Sequence, residues 1–320
     1  MTLNKDGNII DYKRVLTGTV MNCNGGRTPS VGGTWDAWIS AEEDFGRARG
    51  RAWQVDPLGI RPPSPITLGQ DGGIFEAFAY DDRNKSAPQF FLTEDDYYGA
   101  MQRFIPYKPD WSHPWEILVG DGTIDYLVLE PSNRNMNRGT FRWTQNKQEA
   151  RRSAGRVYPN SEGVDVSGNK LFFVTKRFGH LFELDLDNGT YRRTFTSSGL
   201  FDGSPDQLQE VIGYNNEALL YFTEDGGERA GIHARNSNGD LFTILEGLYR
   251  PETTGLSFSP DSKRMYFAFQ EDGLLFEVTR KDGLPFHAKS LNLKFHAYEG
   301  STAVNRARRQ LDSSTRSRHF

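Results

Sequence analysis

Phe91-Leu92-Thr93-Glu94-Asp95 returns 130 positions later as Tyr221-Phe222-Thr223-Glu224-Asp225. Phe172-Phe173-Val174-Thr175-Lys176 is a third run of the same kind, apolar and then ending in Thr and a charge. Each is followed by glycine and a second apolar run: Gly99-Ala100-Met101, Gly179-His180-Leu181 and Gly231-Ile232-His233. A strand, a polar end and a returning strand make half of a propeller blade, and blades recur every 40–50 residues or so. In a chain of 320 residues that spacing predicts about six blades, with the echo spanning three of them. The fold class expected is all-β, a β-propeller.

The rest of the chain reads the same way. Short apolar runs at Ile74–Tyr80, Gln89–Thr93, Tyr126–Leu129, Lys170–Thr175, His180–Leu184, Ala218–Thr223, Leu241–Leu245, Arg264–Phe269 and Leu274–Val278 are bounded by Gly, Asp and Asn, which is the strand signal. Ser167-Gly168-Asn169, Asp187-Asn188-Gly189, Asn238-Gly239-Asp240 and Lys281-Asp282-Gly283 supply turns, since these residues reach positive φ at little cost. Lys147–Ser153 is the one stretch with helical character, and its polarity predicts no buried stripe. The expected organisation is one propeller over 1–304, then a disordered basic tail over 305–320 carrying Arg306, Arg308, Arg309, Arg316 and Arg318.

A net charge of −4 and the absence of a basic stripe argue against nucleic acid as a partner. No apolar run is long enough to span a bilayer, and no signal peptide is visible. Cys23 is the only cysteine, so no disulfide staples the chain.

Three constellations could carry chemistry. Asn22-Cys23-Asn24-Gly25-Gly26-Arg27-Thr28-Pro29 places two glycines after a cysteine; a tight turn there would point the sulfur inward, as a soft ligand for iron or zinc or as a buried structural thiol. Ser40-Ala41-Glu42-Glu43-Asp44 puts three carboxylates at a strand end, either facing water or sharing a cation. The third is distributed: Glu76 inside Phe75-Glu76-Ala77-Phe78, Glu94-Asp95, Glu162, Glu224-Asp225 and Glu252. Glu76 lies in an apolar strand, where an unpaired carboxylate is costly. Each acid alone reads as a turn residue, but their recurrence at strand ends is the pattern a propeller gathers around its axis. No Gly-x-Ser-x-Gly elbow, His-Glu-x-x-His or phosphate loop is present. The six histidines show no metal-ligand spacing, and His180 and His233 read as strand residues.

Between about Thr19 and Phe286 these segments resemble the PhoX-type alkaline phosphatases. The opening run Asn22–Pro29 with Gly33-Thr34-Trp35 and Ser40-Ala41-Glu42-Glu43 carries the likeness, followed by Trp53–Pro57, Gly73–Glu76, Phe91–Asp95 with Arg103–Pro106, Glu162-Gly163, Pro205-Asp206-Gln207, Tyr221–Asp225, and Glu252–Gly255 with Phe258–Asp261 and Gln270. The resemblance implies an exported, monomeric phosphomonoesterase with an iron–calcium cluster, Fe3+ with Ca2+, in the propeller funnel. Its substrate would be a small-molecule phosphoester, with neither nucleic acid nor membrane as partner. It implies Cys23 as the iron ligand and Glu43, Glu76, Glu162, Glu224 and Glu252 as cluster carboxylates, with Asp95, Asp206 and Asp225 as further ligands. Arg27 and Lys176 are the basic residues expected to bind phosphate. The family's Thr-Pro-Trp-Gly-Thr is lengthened here to Thr28-Pro29-Ser30-Val31-Gly32-Gly33-Thr34, and its Cys-Glu-Glu becomes Ala41-Glu42-Glu43. Only 22 residues precede Cys23, which is consistent with an incomplete first blade. Two other functions fit a propeller with acids in its funnel: a non-catalytic, calcium-stabilised binding scaffold, and a calcium-dependent lactonase-like hydrolase.

Overall fold

The computed structural model describes residues 2–4, 6, 8–46, 49–132, 135–196, 201–212, 218–227, 229–246, 252–286 and 294–297. The basic tail expected over 305–320 lies outside them. The chain forms two compact units, one of Met1–Val128 with Arg142–Val157, the other of Leu129–Phe141 with Tyr158–Phe320.

In the first unit β1 (Thr2–Leu3) pairs with β2 (Ile9–Asp11). The four strands β3 (Asn22–Arg27), β4 (Trp38–Glu42), β5 (Ala52–Val55) and β6 (Ser64–Pro65) pair in sequence order, all antiparallel. β7 (Phe75–Asp81), β8 (Gln89–Glu94), β9 (Gln102–Pro106) and β10 (Gly122–Ser132) repeat that order, and β10 runs on past the end of the unit. The core is aromatic: Trp35, Ile39, Phe75, Phe78, Phe90, Leu92 and Phe104 are buried together. The Trp35 indole N–H donates to Gln54 Oε1 at 2.9 Å, and Gln54 Nε2 donates to the Trp115 carbonyl at 2.9 Å, so the ring's polar atom is satisfied inside the core.

In the second unit β11 (Asn135–Thr144) is the outer neighbour of a sheet formed by β12 (Ser161–Ser167), β13 (Lys170–Thr175), β14 (His180–Asp185) and β15 (Thr190–Phe195). β16 (Ser204–Ile212), β17 (Ala218–Asp225), β18 (Gly231–Asn236) and β19 (Leu241–Glu246) form the next. β20 (Thr253–Phe258), β21 (Arg264–Phe269) and β22 (Leu274–Thr279) form a three-stranded sheet, and β23 (Lys294–Ala297) adds to the outer edge of β19. Up-and-down antiparallel sheets of this kind are propeller blades, and the fold is an all-β propeller. Five blade-like sheets can be followed among the described residues.

The α-helix differs from expectation. α1 runs over Lys147–Val157, longer than the segment read from sequence, and it does bury a stripe of Ala150, Ser153, Ala154 and Val157. That stripe has helical spacing, but its residues are too small to stand out against the arginines between them.

Candidate functional site

The strand that opens each sheet is bulged against its neighbour. Cys23 and Asn24 together oppose Ala41, Glu76 and Ala77 oppose Thr93, Glu162 and Gly163 oppose Val174, and Asp206 and Gln207 oppose Thr223. A bulge leaves one residue out of the ladder and re-aims its side chain. The first bulged residue in these four strands is Cys23, Glu76, Glu162 and Asp206, four of the residues singled out from sequence. The freed amide is caught by a threonine across the ladder: Ala77 N–H donates to Thr93 Oγ1 at 2.9 Å, and Gln207 N–H to Thr223 Oγ1 at 2.8 Å.

The end of the second strand is fixed in the same manner. The amides of Glu43, Asp95 and Lys176 donate to the carbonyls of Met21, Ile74 and Asn160 at 2.9, 2.8 and 3.0 Å. Met21 and Asn160 hold positive φ, 37° and 56°, which costs a non-glycine residue free energy. Gln270 donates to the Glu252 carbonyl in the corresponding bond at 3.0 Å. Glu252 is therefore the counterpart of Met21 and Asn160; β20 keeps Thr254 opposite Ala268 and bulges one residue later, at Gly255 and Leu256, so no acid stands at its bulge. Glu252 enters its site from a different step of the backbone than the other acids.

In the first unit, ligand atoms of Cys23, Glu43 and Glu76 all lie within 4.8 Å of one another. Cys23 Sγ is 3.3 Å from Glu76 Oε1. Glu76 is wholly buried, Glu43 nearly so, and Cys23 is exposed. Cys23 is exposed as a residue while its sulfur meets the buried Glu76 carboxylate, but no glycine turn aims it there. Gly25 and Gly26 lie within strand β3, where a Cβ would meet the Ile39 carbonyl oxygen at 1.9 Å and the Phe78 carbonyl oxygen at 2.0 Å. They permit close approach of the backbone rather than a turn. Asp95 is buried at the end of β8. Arg27 is exposed at the far end of β3, four residues from Cys23, or roughly 13 Å at the rise of a strand, so the structure does not bring it to this group.

In the second unit, Lys176 Nζ lies 3.0 Å from Asp225 Oδ2 and 3.5 Å from Glu162 Oε1. Asp206 and Glu162 are buried. The Glu252 carboxyl is pushed up to about 9, first by burial, then by its hydrogen bond to Asp206 and the charges of Asp206 and Asp225, with Lys176 opposing. A carboxyl so placed holds either a proton or a cation at neutral pH.

Glu224 is a correction to the expected ligand set. Its Oε1 accepts from Gly203 N–H at 2.7 Å, and its Oε2 from Gly231 N–H at 2.9 Å, with His233 Nε2 also at 2.9 Å. It ties the approach to the first strand to the start of the third. Glu42 does the same in its own sheet, accepting from Val20 N–H at 2.9 Å and Arg51 N–H at 2.7 Å. Glu94 holds the equivalent position. Burial pushes its carboxyl up, opposed by Arg151, whose Nη1 is 3.7 Å away and whose Nη2 bonds Asp96 at 2.9 Å. Successive side chains of a strand point to opposite faces, so in Glu42-Glu43, Glu94-Asp95 and Glu224-Asp225 only one acid of each pair can face the site. The first member braces the sheet. That alternation was available in the sequence and splits each pair, but which member is the brace is set by the hydrogen bonds.

These donor sets suit cations. Ligands on opposite sides of a calcium ion are about 5 Å apart, twice a bond of 2.3–2.6 Å, so ligand atoms that all lie within 4.8 Å of one another can share one cation. A thiolate with two carboxylates suits a transition metal, and oxygen ligands alone suit calcium.

No protein-family model matches the chain, and comparison with curated proteins finds no match. Among solved structures, PhoX of Pseudomonas fluorescens in complex with vanadate, a transition state analogue, aligns at a TM-score of 0.63 with 14% identity, covering 84% of this chain and 71% of that one. That likeness shows the propeller fold. A β-1,3-galactosidase of glycoside hydrolase family 43 with galactodeoxynojirimycin aligns at 0.47, with 13% identity over 89% of this chain and 95% of that one. A nidogen/laminin complex aligns at 0.44, with 13% identity over 81% of this chain and 78% of that one.

Proposed function

We infer that the chain is a metal-dependent phosphomonoesterase using calcium and iron(III). The observation that carries this reading is the meeting of Cys23, Glu43 and Glu76 within 4.8 Å. Carboxylates crowded in this way repel a phosphate dianion. Bound cations would reverse that field and neutralise the phosphate oxygens. Around them the protein's own groups do the rest. Cys23 and Glu76 would hold the softer cation with Glu43, Asp95 at the end of β8 would add a further carboxylate in the first unit, and Asp206, Asp225, Glu162 and Glu252 would supply oxygen ligands in the second. Lys176, paired with Asp225 and Glu162, is the basic side chain available to a phosphate oxygen; Arg27 has no part in this reading. The vanadate complex of the similarly folded PhoX favours phosphoryl chemistry over the scaffold and lactonase readings.

The test is turnover of p-nitrophenyl phosphate at alkaline pH before and after exhaustive chelation, and after calcium is restored. Activity should vanish on chelation and return with calcium. Activity untouched by chelation would refute the metal mechanism. A protein that binds calcium, carries no iron and turns over nothing would be the scaffold.

A further inference from the structure

The sites repeat, and so does a feature two residues beyond them. Phe45 follows Glu43 by two positions, Tyr97 follows Asp95 by two, and Phe178 follows Lys176 by two, with glycine next or next but one: Gly46, Gly99 and Gly179. Phe45 is 56% exposed, Tyr97 38% and Tyr98 52%, and Met21, two residues before Cys23, is 60% exposed. Single exposed apolar side chains are ordinary. Phe178 is half-buried against His180, with ring centroids 5.8 Å apart, whereas in the first unit two sheets carry an exposed ring at the same position, in short loops better served by polar residues.

In the first unit these rings share an end with the candidate metal group. Glu43 N–H bonds the Met21 carbonyl and Phe45 N–H bonds the Glu43 carbonyl at 3.1 Å. Glu43 bridges to Ile74, whose carbonyl accepts from Asp95. Chains of backbone bonds therefore tie Met21, Phe45 and the Asp95–Tyr98 loop to one edge. The Tyr97 and Tyr98 rings meet edge to face at 4.9 Å. Tyr98 lies over Gly155 of α1, where a Cβ would fall 2.5 Å from its ring. The helix thus fixes Tyr98, and Tyr98 braces Tyr97, giving an ordered aromatic surface without burial.

We propose that this aromatic rim binds the leaving group, and that the substrates are phosphomonoesters of aryl or similarly apolar alcohols. This rests on the phosphatase reading above. The phosphate goes to the cations, and the apolar remainder lies against Phe45 and Tyr97. Edge and stacking contacts with such rings are worth about 1 kcal/mol each beyond the area they cover.

The experiment uses phosphonates, whose C–P bond is not cleaved, so leaving-group reactivity does not enter. Phenylphosphonate and methylphosphonate are compared on the calcium- and iron-loaded full chain, as competitive inhibitors of p-nitrophenyl phosphate turnover and as ligands that raise the melting temperature. The phenyl compound should bind roughly tenfold more tightly, and that ratio should fall to within about twofold in Phe45→Ala/Tyr97→Ala. The ratio corrects for any general loss of folded protein. A ratio near unity in the parent chain, or one unchanged by the double variant, overturns the rim. If methylphosphonate binds and phenylphosphonate gains nothing, the rim alone fails. If the loaded chain turns over no p-nitrophenyl phosphate and neither phosphonate shifts its melting, the phosphatase reading fails with it.

Discussion

Two buried glutamates in similar strand contexts do opposite work, and substitution separates them. Glu224 receives two backbone amides and the His233 ring. Glu224→Ala leaves these donors without an acceptor, and should cost about 3 kcal/mol in urea unfolding while the folded fraction keeps its iron. Loss of iron with stability intact would contradict its role as a brace. Glu76 stands at a bulge beside Cys23 and Glu43. Glu76→Gln keeps the volume and removes a charge from a crowded site, so the metal-free protein should melt no lower than the parent, while its metal content and turnover fall together. A lowered melting point with unchanged metal content would place Glu76 among the braces. The sequence showed that these acids recur. It did not show which ones face the site, because strand alternation splits two adjacent acids without saying which one is the brace.

At the level of elements, most strands were legible because alternating apolar residues between Gly, Asp and Asn leave few alternatives. Lys170–Thr175 and Arg264–Phe269 are strands with the expected bounds. The bulges were not legible. A bulge is a disagreement in register between two strands, and a single strand's composition carries no trace of it. The threonines opposite the bulges are the nearest signal, and they can be tested. Thr93→Val removes the acceptor for Ala77 N–H and should cost about 1–2 kcal/mol. It should also weaken metal retention, since the bulge aims Glu76. Equal stability and equal metal content would show that the hydroxyl does not set the bulge. α1 was half legible, its small buried face hidden among arginines. Ala154, fully buried there, should tolerate no larger side chain: Ala154→Leu overpacks the stripe and should cost roughly 1–3 kcal/mol, read from the thermal midpoint.

For the whole molecule the decisive variable is charge. Glu252 has its pKa raised from 4.5 to about 9 by burial and by Asp206 and Asp225. A group raised in the folded state contributes stability that is fully present below its unfolded value and is lost as pH rises through the folded one. The metal-free protein should therefore lose stability between about pH 4.5 and 9. Calcium replaces the proton, so its addition should raise the melting temperature more at pH 8 than at pH 5. Glu252→Gln should flatten the pH dependence of the metal-free protein. An equal calcium effect at both pH values would contradict the shared acidic group.

The central claim is that Cys23 and its neighbouring carboxylates form a metal centre on which phosphomonoesterase activity depends. The most direct measurement is elemental analysis and p-nitrophenyl phosphate turnover on the same samples of the parent chain, Cys23→Ser and Glu76→Gln. Turnover should scale with metal occupancy across all three, with iron selectively depleted in Cys23→Ser. Full turnover in an iron-depleted Cys23→Ser sample, or full metal occupancy with no turnover in the parent chain, would contradict it.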